Sequence, residues 1–218
     1  MNIVDILDIV AVVFALLVAI IGHEIMHGRM AYYYGDDTAK NQGRFSINPI
    51  SHIDPVGTVI LPALLYLSHA GFMFGWAKPV PINLRKVVQK GGFLGGFQVA
   101  LAGIYYNFTI AFISFLLLKT LHFSHDSIAS FFFAKFLFYS LIYNIVLGVF
   151  NLFPIPPLDG SKALMFILFS MGFYKAGNYI ERYSQYGTII LMIVVATPLS
   201  SFVFSPIHSV VRYFLSFI

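Results

Sequence analysis

The sequence predicts an all-α, polytopic membrane protein, a helical bundle of about four to six transmembrane segments. Of its 218 residues, 59% are hydrophobic and only 10% are charged, whereas a soluble domain has about a quarter charged residues. Several apolar runs also reach the ~20 residues that a helix needs to cross a bilayer. A re-entrant segment or a short β element after the first helix is compatible with this class. The whole chain, 1–218, is expected to be one domain.

The composition excludes several kinds of chemistry. The chain has no cysteine, which excludes disulfides, thiolate nucleophiles and cysteine-ligated zinc. Its formal net charge of +4 is spread over the loops, which is typical of membrane orientation and not of nucleic-acid binding. A cleaved signal peptide is not expected, since no basic region precedes the first apolar run.

The first predicted helix, from about Ile3 to Tyr34, contains the pattern H-E-x-x-H. His23 and His27 are four residues apart, so a helix places both imidazoles on one face, where they can bind one metal ion. Glu24 follows the first histidine and can reach a water molecule beside the metal. At 1.5 Å per residue, His23 lies about 30 Å from the start of the helix, near the far interface of the bilayer.

The pattern also arises by chance in some helices, and a lone histidine is usually only hydrogen-bonded. However, the chain has two glutamates, Glu24 and Glu181, and one of them lies between two of the seven histidines. Charged and imidazole side chains at membrane depth are costly unless they line a polar cavity or hold a metal. The pattern therefore favours a metal site.

Polar and proline-containing stretches divide the rest of the chain. Residues 36–56 are predicted to form loop or short extended pieces, and residues 77–92 a basic connector. Residues 151–160 contain three prolines, which must interrupt helical structure. The polar stretch 175–185 separates the last two apolar segments, and the domain core is expected within 3–174. The predicted apolar segments after the first helix are 57–76, 93–121, 128–150, 163–173 and a last span at about 186–204.

A catalytic zinc ion usually has three protein ligands and one open position, so a third ligand is expected from the second half of the chain. Asp159 is the best placed acidic residue, because it follows the proline-broken stretch. Irregular backbone at membrane depth is tolerated only where it lines a cavity or is buried in protein. The alternative is that Asp159 caps the helix beginning at Gly160 or Ser161, and one carboxylate can do both.

Topology places a condition on this assignment. His23 and Asp159 must lie on the same side of the membrane, so an even number of crossings must separate them. Three apolar segments lie between them, and the proline-containing stretch 57–76 is the expected exception, as a re-entrant or tucked segment. The basic cluster within 78–90 then lies in the cytoplasm, as the positive-inside rule requires.

Two further residues, Gly103 and Asn107, lie four apart on one helix face. Gly103 permits close helix packing, and Asn107 makes an interhelical hydrogen bond in the structural interpretation. Alternatively, the Asn107 amide stabilises an oxyanion near the metal, and losing such a donor costs roughly 100- to 1000-fold in rate. Asn144 and Asn151 are similar amides with less specific placement. The histidines at 52 and 69 are expected in loop or packing roles.

Three separated motifs occur along the chain in this order: His23-Glu24-x-x-His27, Gly103-x-x-x-Asn107 and the N-x-x-P-x-P-x-x-D-G run at 151–160. Together they resemble the short prokaryotic branch of the site-2 protease family (peptidase family M50), whose members are intramembrane zinc metalloproteases. The stretches SHIDPVGT and FGWAKPVP are also similar to that branch. The resemblance covers most of residues 20–165.

The resemblance implies one Zn²⁺ per chain, held by the residues matching His23, His27 and Asp159. It also implies that Glu24 is the catalytic base and that Asn107 lies near the substrate or the oxyanion. The implied reaction is hydrolysis of peptide bonds in or near the transmembrane segments of membrane proteins, that is, regulated intramembrane proteolysis.

The expected location is the prokaryotic cytoplasmic membrane, as a multi-pass protein with its active site toward the cytoplasm. The expected partners are a transmembrane protein substrate and the lipid bilayer, without nucleic acid, and the oligomeric state stays open. A transmembrane substrate helix must unwind locally before a peptide carbonyl can reach the metal. We expect the unwound segment to pair with a strand from residues 40–56. The competing functions are a divalent-metal transporter or binding protein, which needs ligands along a path across the membrane, and a catalytically inactive homologue.

Overall fold

The computed structural model describes residues 2–69, 75–124 and 127–218, and these form an all-α bundle without a strand. A 3₁₀ turn, Pro49–His52, and a π-helical turn, Pro55–Ile60, lie between the second and third α-helices. The α-helices of the described residues are α1 (Ile3–Tyr33), α2 (Thr38–Asn41), α3 (Leu61–Leu67), α4 (Leu84–Thr120), α5 (Ile128–Leu152), α6 (Asp159–Ser170), α7 (Tyr174–Ser184), α8 (Gly187–Ala196) and α9 (Ser200–Leu215).

Three helices of the described residues, α1, α4 and α5, are long and apolar enough to cross a membrane. The bent pair α8 and α9 counts as a fourth span if it is taken together, so the number lies at the lower end of the predicted range. The predicted class, an all-α polytopic membrane protein, is confirmed. Two of these long helices separate His23 from Asp159, and the parity condition asks for an even number. The intervening helical stretch Pro55–Leu67 is too short to qualify.

Helix α1 faces its neighbours α4 and α5 through one stripe of residues spaced four apart. The stripe begins with three alanines that are fully buried, which lets the neighbouring helices approach closely. The two histidines continue the same stripe, while Val13 and Phe14 on another face are exposed. The buried stripe consists of Ala11, Ala15, Ala19, His23, His27 and Ala31.

Helix α4 begins earlier than predicted, at Leu84 and not at residue 93. Asn83 caps it, because its side chain accepts a hydrogen bond from the backbone N–H of Lys86. Gly92 then has a left-handed φ of 61° and kinks the helix, a conformation that glycine adopts without steric cost. The basic stretch predicted as a connector is therefore partly helical.

The last predicted span, 186–204, is not a single helix in the structure. The chain bends by 78° between α8 and α9, because Pro198 cannot continue α8 and the residue before a proline avoids helical backbone. Helix α8 has 10 residues, about 15 Å, which is half of a bilayer core. The polar stretch predicted as a separator forms the amphipathic helix α7.

Of the two possibilities for the stretch after the first helix, the short β element is absent from the described residues, so the strand expected within 40–56 to pair with a substrate is not present. Prolines at 49 and 55 begin helical turns there, and a proline lacks the N–H that a ladder needs. Residues 70–74 lie outside the described residues, so the predicted re-entrant segment 57–76 and the FGWAKPVP stretch are only partly described.

An extended strap, residues 76–83, passes over the end of α1 that carries the histidines. Arg44 holds it through hydrogen bonds to the carbonyls of Lys78 and Ser51, the former at 2.6 Å. At its far end, the N–H of Asn83 donates to Asp36 Oδ2 at 2.6 Å. Both Arg44 and Asp36 are buried, so the strap is fixed to the loop that follows α1.

Candidate metal centre

The three predicted ligands meet at one point inside the bundle. His23 Nε2 and His27 Nε2 are 3.0 Å apart, and each lies 3.0 Å from Asp159 Oδ2. All three side chains are buried. They form the only group of three or more histidine and acidic side chains suited to a metal ion among the described residues.

The Nδ1 atom of each imidazole has a hydrogen-bond partner, which fixes the direction in which its Nε2 atom points. His27 Nδ1 lies 2.7 Å from the carbonyl oxygen of Val99, and His23 Nδ1 lies 2.6 Å from Asn107 Oδ1. A carbonyl oxygen can only accept, so His27 Nδ1 carries the hydrogen and His27 Nε2 keeps its lone pair. This is the arrangement in which metal-binding histidines are usually held.

The donor set fits a zinc ion. Zinc with ligand distances of about 2.0–2.1 Å and tetrahedral angles has ligand atoms about 3.3 Å apart, close to the 3.0 Å observed. Two imidazole lone pairs and a carboxylate oxygen at this separation repel one another unless a cation lies between them. Two histidines and one carboxylate are also a known catalytic zinc set, with a fourth position left open.

Asp159 reaches the site because the chain turns sharply after α5. The proline-containing turn ends at Leu158, and α6 begins with Asp159 itself. The capping alternative is therefore wrong: Leu158 occupies the N-cap position, and the Asp159 carboxylate faces the two imidazoles, with Oδ2 3.0 Å from each Nε2. Gly160 follows because a Cβ there would lie 2.2 Å from the Leu152 carbonyl oxygen, so no larger residue fits this turn.

Glu24 lies beside the ligands in a cavity of about 240 Å³. Its Oε2 accepts a hydrogen bond of 2.9 Å from the backbone N–H of Val80 in the strap. The polar side chains that line this cavity are Glu24, His27, Asp159 and Lys162, and the apolar ones include Val99 and Phe166. A carboxylate next to the metal group, facing a cavity with apolar walls, is placed to take and return a proton.

Asn107 lies on the opposite side of His23 from this cavity. It is fully buried, and its Nδ2 donates to the carbonyl of Ala19 at 3.2 Å and to Asn144 Oδ1 at 2.9 Å. Both amide hydrogens are thus used inside the bundle, and the side chain does not line the cavity. This is the interhelical hydrogen bonding of the structural interpretation, and it leaves no amide hydrogen for an oxyanion.

Several contributors were not assigned from the sequence. Lys162 lies one turn after Asp159, with its Nζ 3.5 Å from Asp159 Oδ1, and its position at i+3 was a usable signal. The N–H of Val80 carries no such signal, because every residue except proline has one. The two other histidines considered, His52 and His69, do not line the cavity. His52 Nε2 donates to the carbonyl oxygen of Ser46 in its own loop, at 2.8 Å.

The fold and the site together indicate a multi-pass membrane protein with a buried group of side chains that could hold a metal ion. A family model described as Peptidase family M50 matches residues 119–195. The chain is 39% identical over 197 residues to the "Putative zinc metalloprotease YwhC" of Bacillus subtilis (strain 168), across 89% of this chain and 84% of the relative. No solved structure matches the chain.

The chain therefore belongs to peptidase family M50, the site-2 protease family. Its enzyme class is that of the zinc metalloproteases. The family model covers the region of Asp159, and the relative's match over most of the chain is the finding that extends membership to the whole of it. The resemblance stated from the motifs is confirmed.

Proposed function

We propose that this protein is an intramembrane zinc metalloendopeptidase that hydrolyses peptide bonds in or near the transmembrane segments of membrane proteins. The observation that supports this best is the convergence of His23, His27 and Asp159 inside an apolar bundle, with Glu24 in the adjoining cavity. The two histidines lie on a helix that is long and apolar enough to cross the membrane, so the substrate must reach this centre within or beside the bilayer.

In the mechanism we propose, His23, His27 and Asp159 would hold a zinc ion with their Nε2, Nε2 and Oδ2 atoms, respectively. A bound zinc ion supplies Lewis-acid chemistry, polarising the peptide carbonyl and making water a stronger nucleophile near neutral pH. Glu24 takes the proton of the attacking water and later delivers it to the nitrogen of the leaving amine. The N–H of Val80 holds the Glu24 carboxylate in place through a charge-assisted hydrogen bond.

We further propose that the active site opens toward the cytoplasm. His23 lies about 30 Å along α1 from Ile3, so the centre is near one interface, where water is available for hydrolysis. The strap and the start of α4 lie at this same end and carry the cluster Lys78, Arg85, Lys86 and Lys90. An excess of lysine and arginine is typical of cytoplasmic loops.

The substrate is, on this proposal, a transmembrane helix that unwinds locally. Its backbone amides are bonded to one another in the bilayer, so no peptide carbonyl can approach the centre until a segment opens. We propose that an unwound segment of the substrate, and not an intact helix with a diameter of about 10–12 Å, enters the cavity of about 240 Å³ beside Glu24.

The test is Glu24→Gln in protein reconstituted into lipid vesicles, with zinc content and cleavage of a model transmembrane substrate both measured. We expect zinc to be retained and cleavage to be nearly abolished, because the carboxamide keeps the shape of the side chain and cannot act as a base. Glu181→Gln is the matched control, since Glu181 is the other glutamate of the chain and lies on the exposed surface of α7.

Each competing function predicts a different result. A catalytically inactive homologue binds zinc and cleaves nothing in wild-type form. A metal transporter moves zinc across the membrane of sealed vesicles, and Glu24→Gln does not change that transport. The described residues hold a single metal-binding group and not a series of groups across the membrane, which favours the protease. Equal cleavage by wild type and Glu24→Gln would refute the proposal.

A further inference from the structure

A chain of side-chain amides runs from α5 through α4 to the first metal ligand. Asn144 Oδ1 accepts from Asn107 Nδ2 at 2.9 Å, and Asn107 Oδ1 lies 2.6 Å from His23 Nδ1. Asn144 and Asn107 are both fully buried, so water cannot take the place of either partner. Neither amide is part of the cavity that Glu24 faces.

Two backbone carbonyls fix the direction of this chain. Asn144 Nδ2 donates to the carbonyl oxygen of Ser140 at 2.8 Å, and Asn107 Nδ2 also donates to that of Ala19 at 3.2 Å. A carbonyl oxygen cannot donate, so each NH₂ group must face its carbonyl and each Oδ1 must face the other way. The oxygen of Asn107 is thereby turned toward His23.

The consequence is a defined tautomer for one imidazole, that of His23. Because Asn107 Oδ1 can only accept, His23 Nδ1 must carry a hydrogen, and His23 Nε2 is left with a lone pair directed at the metal position. Gly103 leaves room for this ring: a Cβ there would lie 2.5 Å from His23 Cε1. His27 obtains the same protonation state from the Val99 carbonyl, without any side-chain relay.

We propose that Asn144 is a positioning residue, which acts through Asn107 to hold His23 with its hydrogen on Nδ1 and its ring in the orientation that binds the metal. The proposal rests on the proposed function, because it assumes that His23 is a zinc ligand. The contact of Asn107 with α5, made through Asn144, thereby has a role in metal binding and not only in helix packing. It also makes the two histidines unequal, since only His23 depends on α5.

The test compares Asn144→Leu, which removes the acceptor at similar volume, with Asn144→Asp, which keeps an oxygen for Asn107. A buried aspartic acid at this position is neutral and can donate to the Ser140 carbonyl. The matched control is Ser114→Ala, a buried polar residue two turns beyond Asn107 on α4. Each variant is purified as the full chain, and its thermal unfolding is recorded to establish that it is folded.

Zinc affinity is measured by competition with a chelator, and the visible absorption spectrum of the Co²⁺-loaded protein reports the ligand geometry. Removing an outer partner of a metal-binding histidine costs about 10- to 100-fold in metal affinity, so we expect Asn144→Leu to bind zinc about 10-fold more weakly, with an altered Co²⁺ spectrum. Asn144→Asp restores both, and Ser114→Ala changes neither.

Wild-type zinc affinity and an unchanged Co²⁺ spectrum in folded Asn144→Leu would overturn the inference. So would loss of zinc affinity in Asn144→Asp equal to that in Asn144→Leu, because it would trace the effect to packing. These readouts do not depend on cleavage. If wild type binds zinc and cleaves no substrate, the proposed function fails while the positioning role is still decided by the affinities.

Discussion

Gly103→Ala tests the geometry of the centre with a single methyl group. The added Cβ would lie 2.5 Å from His23 Cε1 and 2.6 Å from its Cγ and Cδ2, whereas carbon atoms in contact are about 3.5–4.0 Å apart. The imidazole must therefore move by about 1 Å, since the backbones of α1 and α4 are held by close packing on both sides. Inserting a methyl group into such a site costs typically 1–3 kcal/mol of folding stability.

The expected effect on activity is larger than that on stability. A misplacement of about 1 Å in a catalytic arrangement costs on the order of 100-fold in rate, and the same movement carries Nε2 away from the point where the other two ligands converge. We expect Gly103→Ala to lose about 100-fold in kcat/KM and to bind zinc more weakly. The assays are cleavage of a transmembrane substrate in vesicles and chelator competition for zinc.

Gly95→Ala is the matched control, because Gly95 lies on the same helix and the atoms nearest its added Cβ belong to the ring of Tyr34, no closer than 3.3 Å. We expect this variant to retain activity within a few-fold. Gly103→Ala with wild-type zinc affinity and wild-type cleavage would show that the His23 ring has room to spare, and the reasoning from its close contact with α4 would be wrong.

Three further predictions concern the carboxylate, the strap and the surface. Asp159→Ala should abolish zinc retention and cleavage together, and excess zinc should not restore wild-type activity, because one of three ligands is gone. Val80→Pro removes the N–H that donates to Glu24. Because a hydrogen bond to a charged group is worth about 1.5–3 kcal/mol, we expect kcat to fall roughly 10- to 100-fold with unchanged zinc content. The control Val80→Ala retains the N–H and should lose much less activity. Lys86 Nζ donates to Asp37 Oδ1 at 2.6 Å and holds the pKa of Asp37 below its ordinary value of 3.8. The Lys86–Asp37 ion pair therefore contributes stability above pH 3.8, and this contribution is lost as the pH falls through the pKa of folded Asp37. The thermal unfolding temperature of Asp37→Asn should differ slightly from that of the wild type at pH 7, and the difference should vanish below that folded-state pKa.

The parts of this structure that could be predicted from sequence are those governed by local periodicity. Helix α1 and the pairing of His23 with His27 follow from a spacing of four residues and an uninterrupted apolar run. Asp159 could be singled out because few acidic residues exist in the chain and three prolines precede it. These inferences use one stretch of chain at a time, and the structure brings the three side chains together.

The parts that could not be predicted depend on which groups meet across helices. The sequence indicates that Asn107 is polar and lies in an apolar helix, but both the oxyanion role and the interhelical hydrogen bond are compatible with that. Only its contacts with Ala19 and Asn144 distinguish them. The break at Pro198 was readable and was missed, because the apolar run on both sides of it looks continuous.

If the proposed function holds, the buried stripe of α1 has a consequence for the depth in the bilayer at which peptide bonds are cut. The same row of positions that brings α4 and α5 close carries the zinc-binding pair, so the depth of the chemistry is set by a count of residues from the capped start of the helix. Inserting one residue ahead of His23 would turn the pair by about 100° toward the lipid. Inserting four residues, slightly more than one turn, would keep the pair facing inward and displace it by about 6 Å along the helix. On the proposed function, the number of residues in α1 ahead of His23 sets the distance between one membrane surface and the scissile bond, so changing that number should shift the cleavage position.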